Sequence, residues 1–239
     1  MSNSTHALRA LWLQVVDLLA PQDCFLCGVR TEGMALCAAC NAGLPRRPDS
    51  ACPCCGLPGL NGGVCGACAR ETPAFDATLA VFEFAFPVDV MVHALKYQRR
   101  LALAEFFGQA LLERGAGFVE GADLLVPMPL HPRRLAERGF NQAVEIARPV
   151  ARACGLPLGL AVVNKLRDLP PQAGLDREAR LRSPRGAFGG STSLAGQRVI
   201  VVDDVMTTGA TLDELARCLK RQGASWVGNL VVARTLTPG

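Results

Sequence analysis

The stretch "VIVVDDVMTTGATL", Val199–Leu212, joins a run of apolar residues to two adjacent carboxylates and then to a hydroxyl-rich turn around one glycine. The apolar run reads as a buried strand, and "ATLDELARCLKRQG" (210–223) behind it as a helix. Thr207, Thr208, Gly209, Ala210 and Thr211 therefore fall where a strand turns into a helix. At such a turn the backbone N–H groups and the helix dipole favour an anion, and hydroxyls add donors. Asp203 and Asp204 would repel that anion, so they must face another part of the same ligand. Two adjacent acids are suited to accept hydrogen bonds from vicinal sugar hydroxyls, and a 5′-phosphorylated ribose satisfies both halves of the motif. The GxxxxGK[ST] spacing of a nucleotide-triphosphate loop is missing. A purely structural acidic turn that caps the helix is the alternative.

Outward from this stretch, strand and helix signals alternate from Glu71 onward. "ATLAVFEFAF" (77–86) reads as a strand, and "VDVMVHALKYQRR" with "LALAEFFGQALLERG" as one or two helices. "DLLVPMP" (123–129) is a short buried strand stopped by Pro127 and Pro129. A helix follows from Arg133, or only from near Asn141 because of Gly139, and closes at Gly155. "LGLAVVNKL" (158–166), "QRVIVVDD" (197–204) and "SWVGNLVVARTL" (225–236) complete the strands. This order predicts a mostly parallel sheet covered on both faces, a three-layer α/β fold with its ligand beyond the carboxyl ends of the strands. Asp203 and Asp204 lie at one such end.

Composition sets limits. The chain has 239 residues, half of them apolar, 19% charged, and a net charge of +4. That charge favours anions but falls short of the basic excess that alone would argue for nucleic acid. No apolar run reaches the ~18 residues of a membrane span, and "HALRALWLQVVDLLAP" (6–21) reads as an amphipathic helix, not a signal peptide. A cytoplasmic location is expected.

Eleven cysteines are the compositional anomaly, and nine precede residue 70. "CFLCGVRTEGMALCAAC" (24–40) and "CPCCGLPGLNGGVCGAC" (52–68) are both 17 residues long, with nine residues between their CxxC pairs. This internal repeat predicts tetrahedral thiolate sites for one or two structural Zn²⁺ ions, with Cys24, Cys27, Cys37, Cys40, Cys52, Cys55, Cys65 and Cys68 as ligands. Whether each repeat holds its own ion or the pairs cross over is left open by the spacing. Cys54 interrupts the third pair; Cys52 and Cys55 preserve the repeat. Isolated Cys154 and Cys218 read as buried structural thiols. A disulfide framework would require an oxidising compartment. The segment is poor in large apolar residues, so metal supplies much of its folding energy. The expected organisation is a Cys-rich ribbon domain at 1–70 and an α/β domain at 71–239.

With these pieces assembled, "VIVVDDVMTTGAT" resembles the phosphoribosyl pyrophosphate (PRPP) signature of type I phosphoribosyltransferases. "VPMPLHPRRLAERGFNQAVEIAR" (126–148), "HALKYQRR" (93–100), "PPQAGLDREARLRSPRGAF" (170–188) and the CxxC array are similar to the ComF family of phosphoribosyltransferase-like competence proteins. Ser183 departs from the asparagine expected in an "RxxN" pattern. The resemblance implies a type I phosphoribosyltransferase domain preceded by a zinc-ribbon domain. It assigns Asp203 and Asp204 to the ribose hydroxyls, Thr207 to Thr211 to the 5′-phosphate, and Met128 to Arg134 to the diphosphate.

Arg133, Arg134 and Arg138 are then either diphosphate counter-charges or solvated charges on a helix face. Asn141 and Gln142, within "RGFNQ", are further binding candidates. Six basic and three acidic residues lie between Lys165 and Arg185, in a segment that looks like a hood closing over PRPP, a solvated loop being the alternative. Lys165 and Arg167 at its root, with Arg133, are the candidate catalytic cations.

The implied chemistry is transfer of ribose 5-phosphate from PRPP, with Mg²⁺, to an unidentified acceptor with release of pyrophosphate. Two other classes stay open: a PRPP-binding regulator without turnover, and an accessory protein that binds single-stranded DNA or competence proteins. Aromatic residues for base stacking are scarce at 5%.

Overall fold

The computed structural model describes residues 22–59, 62–168 and 185–236. The expected N-terminal helix, most of the hood and Ser183 lie outside the described residues. The chain divides into two compact units between Leu44 and Pro45. Among the described residues, no helix is long and apolar enough to cross a membrane.

The first unit holds a two-residue ladder, β1 (Gln22–Asp23) antiparallel to β2 (Arg30–Thr31), and a short helix α1 (Ala38–Ala42). The second unit begins with the second cysteine repeat, whose helix α2 spans Gly66–Arg70. The two repeats match at the level of the hydrogen bond. Cys24 O accepts from Gly28 N at 2.8 Å and Cys52 O from Gly56 N at 2.9 Å, while Cys24 N and Cys52 N both donate to a carbonyl five residues on, at 2.7 Å. Cys37 and Cys65 occupy the N-cap positions of α1 and α2.

The remainder of the second unit is built on four parallel strands in the order β3 (Ala77–Glu83), β8 (Trp226–Arg234), β7 (Arg198–Met206), β4 (Leu124–Pro127). Helices α3 (Val88–Gln98) and α4 (Ala102–Val119) carry the chain from β3 to β4; α5 (Pro132–Arg138) and α6 (Gln142–Cys154) follow β4. Helix α7 (Ala210–Arg221) joins β7 to β8. Near-continuous apolar runs form β7 and β8, as expected for strands buried on both faces. Helices α4 and α6 pack closely on each other: a Cβ at Gly108 would lie 2.2 Å from Pro149 Cγ, so only glycine lets these helices approach.

Two expectations need correction. Residues 158–166 are not a strand of the main sheet: Leu158 makes a single bridge to Leu125, and only β5 (Asn164–Lys165) is extended, pairing antiparallel with β6 (Phe188–Gly189). The apolar run spends Val162 and Val163 on the core through a turn instead of a ladder. Cys154 is exposed, because it ends α6 beside the Gly155 cap, whereas Cys218 is buried. The open question at Gly139 resolves into two helices: Gly139 ends α5 with φ of 83°, and Asn141 caps α6.

Candidate PRPP site and thiolate clusters

The chain turns off β4 into α5 and off the adjacent β7 into α7, so a crevice opens beyond their carboxyl ends. A cavity of about 380 Å³ fills it. Of the residues singled out from sequence, Asp203, Thr207, Gly209, Thr211, Arg134, Arg138, Gln142 and Lys165 line this cavity. Asp204, Thr208, Ala210, Asn141, Arg133 and Arg167 do not. A larger groove of about 590 Å³ runs between α4 and α6, but its charges are paired with each other, Glu105 with Arg152 and Glu145 with Arg148.

Successive side chains of a strand point to opposite faces, and the acid pair divides accordingly. Asp204 is buried on the α3 and α6 side, in an ion pair with Lys96 and 3.4 Å from the donating Gln142 Nε2. Gln142 Oε1 in turn accepts from Arg138, whose guanidinium lies 5.3 Å over the Tyr97 ring. Lys96, Asp204, Gln142, Arg138 and Tyr97 thus form a continuous chain of contacts. Burial works against ionisation of Asp204, yet Lys96, Asp203 and Gln142 outweigh it and hold the carboxyl below its usual range. Asp203 behaves oppositely: burial first, then the neighbouring Asp204 charge, hold it well above the usual carboxylate range. Its Oδ1 accepts from Asp204 N at 2.9 Å. Burial also lowers the Lys165 ammonium, against the pull of Asp203.

The anion turn is built by backbone geometry. Gly209 is the N-cap of α7 with φ of 86°, a left-handed conformation that favours glycine, and a Cβ there would lie 2.6 Å from the Met206 methyl. Thr208 Oγ1 accepts from Ala210 N at 3.3 Å. Across the cavity, Asn141 fixes the loop after β4: its amide donates to Met128 O at 3.0 Å while its oxygen accepts from Ala143 N at 3.0 Å. Arg134 pairs with Asp168 at 3.3 Å, and exposed Arg133 with Glu137 at 3.0 Å. Arg167 donates to Arg185 O at 2.8 Å.

The thiols form two separate sets, Cys24, Cys27, Cys37, Cys40 and Cys52, Cys55, Cys65, Cys68, with the sulfurs of each set within 4.8 Å of one another. Each repeat closes on itself, and Cys54 stands outside. Cys27 and Cys37 sulfurs are 3.7 Å apart and Cys55 and Cys65 sulfurs 3.6 Å. The edge of a zinc tetrahedron with Zn–S bonds of about 2.3 Å is roughly 3.8 Å, so the donor sets fit structural zinc. Protonation is uneven within the first set. Burial favours the neutral thiol at Cys24, but backbone amides including those of Cys37 and Cys27 outweigh it and bring Cys24 down to about 6, while hydrogen bonding with Cys27 and Cys37 pushes Cys40 up to about 12. A divalent cation relieves that conflict by taking all four as thiolates.

Residues 15–69 match the family model of the double zinc ribbon domain, and residues 137–237 that of the phosphoribosyl transferase domain. Competence protein ComFC of Bacillus subtilis is 28% identical, over 84% of this chain and 84% of that protein. The DNA utilization protein YhgH of Salmonella typhimurium is 32% identical over 92% of this chain and its own full length. The chain belongs to the ComF family. Competence protein F of Haemophilus influenzae, another similar protein, is 26% identical over 66% of this chain and 73% of its own length.

In this ComF chain, sequence reasoning missed Lys96, Tyr97 and Asp168 as site residues. "HALKYQRR" was singled out only for its resemblance to the family, and the acid that Lys96 meets lies more than a hundred positions away, so nothing local marks the pairing.

Proposed function

We propose that this chain binds PRPP with Mg²⁺ in the cavity beyond β7 and β4 and transfers ribose 5-phosphate to an acceptor. The observation that carries the reading is that one cavity is lined by an acid of the pair, the threonine-glycine turn and the cations Arg134, Arg138 and Lys165. Thr207 to Thr211 receive the 5′-phosphate, Asp203 and Asp204 the ribose hydroxyls, Asp204 by exchanging its Lys96 and Gln142 partners for the sugar, and Arg134 and Arg138 the diphosphate in fork geometry. The C1–O bond to pyrophosphate breaks with both electrons leaving on oxygen, and the acceptor's lone pair forms the new bond to C1. The acceptor's proton passes to solvent or to the departing pyrophosphate. Mg²⁺ would be held mostly by substrate oxygens and water and would supply counter-charge for the leaving group. Lys165, which lines the cavity, acts near the reaction centre, with Arg167 and Arg133 as further cations. Residues 1–70 carry the two ribbons and 71–239 the chemistry, with the second ribbon folding in the same compact unit as the chemical residues. Reduced thiol sets fit a cytoplasmic location.

Calorimetric titration of PRPP with and without Mg²⁺ tests this. The expected result is micromolar binding that needs Mg²⁺ and vanishes in Asp203→Asn/Asp204→Asn. No binding by folded wild-type protein overturns it, and binding without pyrophosphate release for any acceptor favours a regulator. The relatives' names, DNA utilization and competence protein, favour a second reading in which the chemistry is linked to DNA uptake. Salt-sensitive binding of single-stranded DNA is its test.

A further inference from the structure

Arg234 closes β8 and is only 3% exposed. Its Nε donates to Cys55 O at 3.0 Å, within the second thiolate cluster. Its Nη1 donates to Met206 O at 3.1 Å and to Thr207 O, at the start of the anion turn. A planar guanidinium with donors on two edges can hold two such groups in fixed relation. In a trans peptide the C=O and the N–H it shares a plane with point in opposite directions. With the carbonyls of Met206 and Thr207 drawn onto Arg234, the N–H groups of Thr207 and Thr208 are turned away from it.

A second link joins the same two places. Beyond Cys68, Thr72 Oγ1 donates to Cys68 O at 3.4 Å, and Ala74 N donates to Asp213 Oδ1 at 2.6 Å in the first turn of α7. Phe75, buried, lies 3.8 Å from where a Gly209 Cβ would stand. Both halves of the second cluster are therefore tied to the turn, Cys55 through Arg234 and Cys68 through residues 72–75.

We propose that Arg234 is a positioning residue of the phosphate turn, and that the second thiolate cluster, acting through the Cys55 carbonyl, sets the conformation in which the turn receives a phosphate. The phosphate role rests on the function proposed above; the coupling between cluster and turn does not.

Amide hydrogen exchange on the full-length, zinc-loaded protein tests the coupling. In Arg234→Lys, which keeps the charge and loses the fork, exchange at 206–211 accelerates at least tenfold while β4 and α6 keep their protection. One of two zinc ions then passes several-fold faster to a chromogenic chelator. Cys65→Ser loosens the same amides, whereas Cys37→Ser, in the first cluster, leaves them unchanged. Should Arg234→Lys fail to fold, the Cys65→Ser and Cys37→Ser pair carries the comparison. Unchanged exchange at 206–211 in folded Arg234→Lys or Cys65→Ser, or equal loosening by Cys37→Ser, overturns the proposal. PRPP titration of the wild type separates the two readings: without PRPP binding the phosphate role falls, and exchange alone still decides the coupling.

Discussion

The two cysteine repeats share their spacing and their knuckle hydrogen bonds, but they differ in what surrounds them. The first leaves Cys27 exposed and Cys40 half-buried; the second buries the equivalent Cys55 and Cys68 in the same apolar cluster as Phe75, Val201, Met206 and Leu212. One motif therefore does two jobs. In the first unit it closes a small fold whose described residues bury few large apolar side chains, and in the second it forms a wall of the larger core, under the anion turn.

The sharpest way to break this contrast is to remove equivalent ligands. Cys55→Ser is expected to lower the stability of the sheet unit by about 4 kcal/mol, through lost metal and a disturbed core. Cys27→Ser leaves the unfolding midpoint of that sheet unchanged. Urea titration followed by Trp226 fluorescence in a Trp12→Phe background reads both. The next largest effect belongs to the turn itself. Gly209→Ala forces a side chain into the left-handed region and against Met206, costing roughly 2 kcal/mol. Its damage should appear in the sheet unit and in PRPP affinity, with the first cluster's zinc retained on metal analysis.

A smaller effect has the opposite sign. Asp203 has its folded pKa raised by burial and by Asp204, so its contribution to stability is present below the usual carboxylate range and is lost as pH rises through the raised value. Asp203→Asn removes that loss and is expected to stabilise the sheet unit by about 1 kcal/mol at pH 7, while abolishing PRPP binding. Unfolding free energies measured from pH 4 to pH 8 should show a shallower decline in the variant. Asp204 runs the other way, its contribution being lost only as pH falls through its lowered value. The smallest effect is at Arg133, with 72% of its side chain exposed and paired with an exposed glutamate. Arg133→Ala should change stability by less than about 0.5 kcal/mol in the same urea titration.

Much of this was legible in advance because it is local. Period-two and period-3.6 patterns, the CxxC spacing and the carboxylate-to-threonine order are all set within a dozen or so residues, the range over which backbone hydrogen bonding and side-chain direction are decided. The exception among the elements, residues 158–166, failed because an apolar run shows that residues are buried but not whether a turn or a ladder buries them.

What local pattern left open is long-range partnership. Asp203 and Asp204 are adjacent and chemically identical in sequence, and they differ because the strand sets one in the cavity wall and buries the other against Lys96 and Gln142. The two cysteine repeats are likewise interchangeable on paper, and packing against β7, β8 and α7 separates them. Arg234 reads as an unremarkable charge at the end of a strand until the fold sets its two edges against Cys55 on one side and Met206 on the other. Side-chain type and spacing settle which chemistry a segment can offer. The dielectric, the counter-ion and the neighbour across the sheet settle which of those offers is taken, and these arise only when distant segments are packed together.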